Sequence, residues 1–171
     1  MKTAGIILIL FSGTGLGMCK SMELTSRLKI LENLVQLILL LKGEIRCTGA
    51  ALEDAFLDVA VKMPEEYKLF LEEMAGSLQK RSGITFDIIF RECAVRNLPL
   101  QKLSVQEKEC FLSLGGKLGY LDKEMQVAQL ALLEEELSEQ AKSLKSAMPK
   151  RQKTCQSMGI LGGMLLAILM W

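Results

Sequence analysis

The sequence predicts an all-α protein: a six-helix cytoplasmic bundle between an N-terminal and a C-terminal transmembrane helix. Three observations lead there. Apolar residues in the middle of the chain recur every three or four positions, with no alternating run of the kind a strand requires. The middle is dominated by Leu, Glu, Lys, Met, Ala and Gln, all strong helix formers, and the chain holds only three prolines. Both ends are long stretches without a charged side chain.

Ser157 to Trp171 reads SMGILGGMLLAILMW and has no polar side chain after its serine. As a helix it would span roughly 22 Å, short against a hydrocarbon core of about 30 Å. Beginning near Thr154 lengthens it, and Trp171 suits the far interface. Thr3 to Met18 mirrors it. Lys20, Arg27 and Lys29 follow the first stretch, and Lys150, Arg151 and Lys153 precede the last. Both basic flanks lie on the inner side, so the positive-inside rule places the intervening residues in the cytoplasm and both termini outside. The expected organisation is a transmembrane segment over 1–19, a cytoplasmic helical domain over 20–150 and a second transmembrane segment over 154–171. A signal peptide is the rival reading, but there is no Ala-x-Ala site, and Met18 before Cys19 does not suit a lipoprotein. Gly13 with Gly17, and Gly159 with Gly163, form two Gly-x-x-x-Gly pairs. Such pairs open a groove for close helix packing in lipid, between the two spans or between copies.

The remaining helices follow in order. The first continues from the membrane, with Leu24, Leu28, Leu31, Val35, Ile38 and Ile45 on one face. Leu34 to Leu41 is so apolar that burial all round is expected, at the bundle centre. Thr48-Gly49 ends it. A second helix places Leu52, Ala55, Phe56 and Val59 inward and stops at Met63-Pro64, since the residue before proline avoids helical angles. Pro64, Glu65 and Glu66 suit the first turn of a third helix, with Tyr67, Phe70, Leu71, Met74 and Leu78 inward and Ser82-Gly83 closing it. Thr85 caps a fourth, with Phe86, Ile89, Phe90, Cys93 and Ala94 buried. Leu98-Pro99 is a turn. Ser104-Val105-Gln106-Glu107 is a capping box opening a fifth helix that runs to about Gly115, with Phe111, Leu112 and Leu114 buried.

Leu114 to Gln126, LGGKLGYLDKEMQ, then reads as a sharp glycine turn between helices, with Gly115, Gly116 and Gly119 allowing close backbone approach. Gly119 is expected to have a positive φ or to lie against a neighbouring backbone. Asp122 caps the sixth helix, which reaches about Lys145 with Met125, Leu130, Leu133, Leu137 and Leu144 on its apolar face. Glu134, Glu135, Glu136 and Glu139 precede Lys142 and Lys145, an order that suits the helix dipole. Pro149 separates the domain from the tail.

This turn, with Gly119, Asp122 and Gln126 at these offsets, resembles the stage III sporulation protein AB family of endospore-forming bacteria. The likeness extends to the apolar N-terminal segment, the long first helix with Glu44-Ile45, the Leu52–Phe56 stretch and the glycine-rich tail. Phe90 stands where the family usually has tryptophan. The family's cytoplasmic domain resembles one repeat of the type II secretion F platform protein. The resemblance implies a place in the channel between mother cell and forespore, in the mother-cell membrane around the forespore. It also implies as partners a secretion-type ATPase like stage III sporulation protein AA and other stage III channel proteins, with self-association as a further expectation. Glu44, Glu135 and Lys142, charged residues expected to be exposed on the first and last helices, are candidate partner contacts.

Catalytic chemistry is not legible. The chain has no histidine, the commonest acid–base and metal-binding side chain. Gly116-Lys117-Leu118 lacks the hydroxyl a phosphate loop needs, and Gly13-x-Gly15-x-Gly17 follows no strand. Glu44 and Asp122 read as caps or surface groups. No catalytic residue, cofactor or metal is expected, and the reading is not an enzyme. A net charge of +1 with mixed signs gives no case for nucleic acid. Five scattered cysteines without a Cys-x-x-Cys pair suit free thiols in a reducing compartment. The two classes left are a membrane platform protein and an anchored helical regulator that binds partner helices.

Overall fold

A computed structural model describes residues 22–49, 51–80, 83–119 and 122–148 with their side chains. The α-helices are α1 Lys2–Cys47, α2 Leu52–Lys62, α3 Glu65–Gln79, α4 Phe86–Asn97, α5 Val105–Leu118 and α6 Lys123–Leu169. A 3-10 turn covers Leu100–Lys102, and the described residues include no strand. The chain divides into two compact units, residues 30–141 and residues 1–29 with 142–171. Among the described residues no helix is long and apolar enough to cross a membrane. The two charge-free ends expected to do so, with Gly13, Gly17, Gly159 and Gly163, lie outside the described residues.

In the 30–141 unit α2 packs on α3, α3 on α4 and α4 on α5. Five of the chain's six phenylalanines form one cluster across these helices. Phe70 of α3 meets Phe90 edge-on at 5.6 Å, Phe56 edge-on at 6.4 Å and Phe111 at 6.4 Å. Phe90 also lies 5.4 Å from Phe111. These are the separations at which ring pairs attract beyond their area burial. From α1, Leu31, Leu34, Leu37, Ile38, Leu41 and Ile45 are buried, and from α6 Leu130, Leu133 and Leu137.

Burial around Leu34–Leu41 is one-sided, contrary to the expectation. Leu37, Ile38 and Leu41 are inside, but Leu39 is 48% exposed. Hydrophobicity on every side of a helix permits full burial, but the number of neighbours decides it. Met125, expected inside, is likewise exposed.

The chain punctuation explains the boundaries. Gly49 has φ +69° and ends α1, a conformation a side chain resists. Met63 is extended before Pro64, and Tyr67 N–H bonds to the Pro64 carbonyl at 2.8 Å. The capping box at α5 is complete: Glu107 N–H donates to Ser104 Oγ at 3.3 Å, and Ser104 N–H to Glu107 Oε2 at 2.8 Å. Glu107 is buried and yet satisfied. Thr85 precedes α4 as expected, but its side chain makes no capping bond; its carbonyl accepts from Ile88 and Ile89. Pro149 does not end α6, which runs on to Leu169. A proline removes one backbone bond and crowds the preceding turn, a local cost that a long helix absorbs.

Candidate functional surface

The glycine motif is built differently from a turn. α5 continues as helix through Gly115 and Gly116 to Leu118. The reason lies in α4. A Cβ on Gly115 would come within 3.1 Å of both Asp87 Cα and Phe90 Cβ, so only glycine lets the two helices approach this closely. Gly119 is not left-handed: its φ is −69°. It does lie in close approach, for a Cβ there would meet Phe86 Cβ at 2.7 Å. Positive φ belongs instead to Gly49 and Gly83. Asp122 caps α6 as expected, its Oδ1 accepting from Met125 N–H at 2.9 Å. Gln126 Nε2 donates to the Leu118 carbonyl at 3.1 Å, satisfying a group that the end of α5 leaves open. Gly115, Gly119, Asp122 and Gln126 thus serve the joint between α4, α5 and α6, whereas a Cβ on Gly116 would make only an ordinary contact, 3.7 Å from Asp87 Oδ1.

The candidate contact residues separate. Glu44 is not an open surface charge: its side chain is only 13% exposed and forms an ion pair with Lys62 of α2. Its position near the end of α1 faces α2, which the helical period alone does not reveal. Lys42 of α1 is similarly committed to Glu134 of α6, and Lys123 Nζ donates to the Gly49 carbonyl at 2.7 Å. Glu135 is exposed, in the 30–141 unit, and Lys142 is exposed in the other unit.

A groove of about 450 Å³ lies beside the end of α4, lined by Glu66, Val95, Arg96, Asn97, Leu98, Pro99 and Gln101. Its arginine is held by Glu73 at 2.6 Å, and Asn97 Nδ2 also donates to Glu73, at 2.5 Å. These side chains therefore tie α4 to α3 and leave the groove without a converging set of reactive groups. Among the described residues no group of three or more His, Cys, Asp or Glu could hold a metal ion. Tyr67 is fully buried and its hydroxyl has no hydrogen-bond partner among the described residues. Burial raises its pKa, and Asn33 lies near enough to oppose the rise without reaching bonding geometry.

The thiols are differentiated by burial. Cys93 is pushed up to about 11 by burial, with Glu73 adding to the rise. Cys110 is pushed up to about 12, again by burial and then by Glu136. Cys47 is exposed. Since the thiolate is the nucleophile, alkylation of the folded chain at pH 8 should label Cys47 well before Cys93 or Cys110. The rate at Cys93 should climb with pH up to about 11. Mass spectrometry of tryptic peptides over a time course checks this; equal early labelling of Cys93 would contradict it.

What sequence reasoning missed is the outer face of α4, where Ile88 and Val95 are 48% and 52% exposed. Their separation of one heptad, opposite the buried Phe86, Phe90, Cys93 and Ala94, was the available signal.

No curated protein and no solved structure matches the chain. The family model for stage III sporulation protein AB matches residues 2–171. With a match across that length, the chain belongs to the stage III sporulation protein AB family, and its role is in sporulation, alongside other stage III sporulation proteins.

Proposed function

We propose that the chain is a non-enzymatic membrane platform component of the channel between mother cell and forespore, and that it couples to a secretion-type ATPase resembling stage III sporulation protein AA. The observation that carries the reading is the family match over residues 2–171. Two further features support it. The charge-free ends with basic inner flanks suit two membrane helices, which would hold the helical domain at the cytoplasmic side of the mother-cell membrane. The exposed charges of α6, Glu135 among them, offer contacts to a soluble partner, while Glu44 is already paired.

The test is co-purification of the full-length chain in detergent with the ATPase. Retention is expected at low salt and should weaken as salt rises, because exposed charges are screened within about 10 Å at 0.1 M. Glu135→Lys should lower retention further. No retention at low salt would refute the coupling. Reporter fusions at both termini address the membrane reading separately: both should report the outside face, and a cytoplasmic signal at either end would refute two spans.

A further inference from the structure

We propose that a second copy of this chain packs on the outer face of α4, with the two α4 helices parallel about a two-fold axis. The inference extends the platform reading and stands whether or not the ATPase is the partner.

α4 uses one side for its own bundle. Phe86, Phe90, Cys93 and Ala94 are buried, and α3 and α5 are its neighbours. The opposite side carries Ile88 and Val95, both about half exposed. Seven residues are nearly two helical turns, so the two side chains stand in one line. Ile84, just ahead of the helix, is also exposed. Apolar side chains one heptad apart supply one of the two lines of a helix-pairing seam.

The charges beside the seam identify the occupant. At about 100° per residue, Arg91 lies roughly 50° to one side of the Ile88–Val95 line and Glu92 roughly 50° to the other. In a parallel two-fold pair, the flank of one helix that carries arginine faces the flank of the other that carries glutamate, at nearly the same height. Arg91 then meets the copy's Glu92 on one side of the seam, and Glu92 meets the copy's Arg91 on the other. An antiparallel pair would set Arg91 against Arg91 and Glu92 against Glu92. The face is therefore complementary to itself in one orientation, as a two-fold interface requires. Arg91 already touches Asp87 Oδ1 at 3.1 Å and Glu109 Oε2 at 3.5 Å. These contacts hold it in place, and a guanidinium with five donors has capacity for a further carboxylate. Glu92 is exposed and forms no ion pair among the described residues. One helix face buries less than the roughly 1,200 Å² of a standard stable interface. The contact is thus a weak one, suited to copies that a shared membrane keeps concentrated.

The test is disulfide crosslinking of the full-length chain in lipid nanodiscs, with Cys19, Cys47 and Cys155 changed to serine. Val95→Cys should give a disulfide-linked dimer on mild oxidation, because the pairing brings the two Cα atoms within bonding reach. Leu69→Cys, on an exposed position of α3, should not. Adding Arg91→Glu or Glu92→Arg to Val95→Cys should each cut the dimer yield about fivefold or more, each change turning two attractive pairs repulsive. Mixing those two charge variants should restore the yield, since every cross-copy pair is then opposite in sign. Melting curves of each variant separate loss of pairing from loss of fold, and Glu92→Arg serves if Arg91→Glu disturbs Asp87 and Glu109. A Val95→Cys yield no higher than that of Leu69→Cys would overturn the proposal. So would a mixture that fails to recover.

Discussion

Phe70→Ala is expected to cost the helical unit about 3–5 kcal/mol, the range for emptying a buried phenylalanine site. Phe70 is fully buried and touches the rings of Phe56, Phe90 and Phe111, which come from three different helices. Removing it leaves a cavity that no single neighbour can close, because each neighbouring ring is also held by another one. Phe90 packs on Phe86 at 5.9 Å as well as on Phe111, and Phe56 lies 6.5 Å from Phe86. The loss is a large share of the 5–15 kcal/mol that a domain typically has. Phe70→Leu should retain more than half of it, since the lost volume is smaller. Denaturant titration of the purified chain followed by circular dichroism gives the comparison. A midpoint for Phe70→Ala within error of the parent would show that the cluster is not the centre of the core.

The sequence discloses such a core because its signals are local and agree with one another. Ser104 and Glu107 stand three apart ahead of an apolar run, and both capping bonds form. Met63-Pro64 and Gly49 end helices where their backbone preferences require. Phe56, Phe70, Phe90 and Phe111 lie on the predicted inner faces. Legibility fails where a partner element decides. Gly115 and Gly116 have the composition of a breaker, yet tertiary packing keeps them helical, overriding a propensity cost of about 1 kcal/mol each. Leu39 and Leu41 are the same residue two positions apart, and only the placement of neighbouring helices leaves one exposed and the other buried. Glu44 looks like any surface acid until Lys62, eighteen residues away, is brought to it. The family and its role in sporulation were legible from the order of motifs along the whole chain. The open face of α4 was only half legible: the sequence already places Phe86 and Phe90 inside, but whether a neighbouring helix covers Ile88 and Val95 on the other side is decided by tertiary packing, which leaves both about half exposed.

The glycines of α5 give the sharpest contrast among neighbouring positions. Gly115→Val and Gly119→Val should each destabilise by about 1–3 kcal/mol, the usual cost of forcing atoms into a packed contact. The causes are steric and not conformational, since both residues have helical backbone and neither has positive φ. At Gly115 the obstacle is the α4 backbone itself: a new Cβ would stand 3.1 Å from Asp87 Cα and 2.9 Å from Asp87 Oδ1. The carboxylate could swing away, giving up its contact with Arg91, but the Cα moves only if the whole helix does. At Gly119 the obstacle is Phe86 Cβ at 2.7 Å, an atom fixed to the first residue of α4. Relief there means shifting the start of α4 and with it a ring of the phenylalanine cluster. Gly116 differs, because its nearest neighbour is Asp87 Oδ1 at 3.7 Å, an ordinary contact. Gly116→Ala should therefore stabilise, by up to about 1 kcal/mol, through helix propensity alone. Opposite signs at adjacent positions would establish helix–helix contact as the reason for glycine at Gly115. If Gly115→Val and Gly116→Ala moved the melting temperature alike, the close approach of α4 and α5 would be wrong.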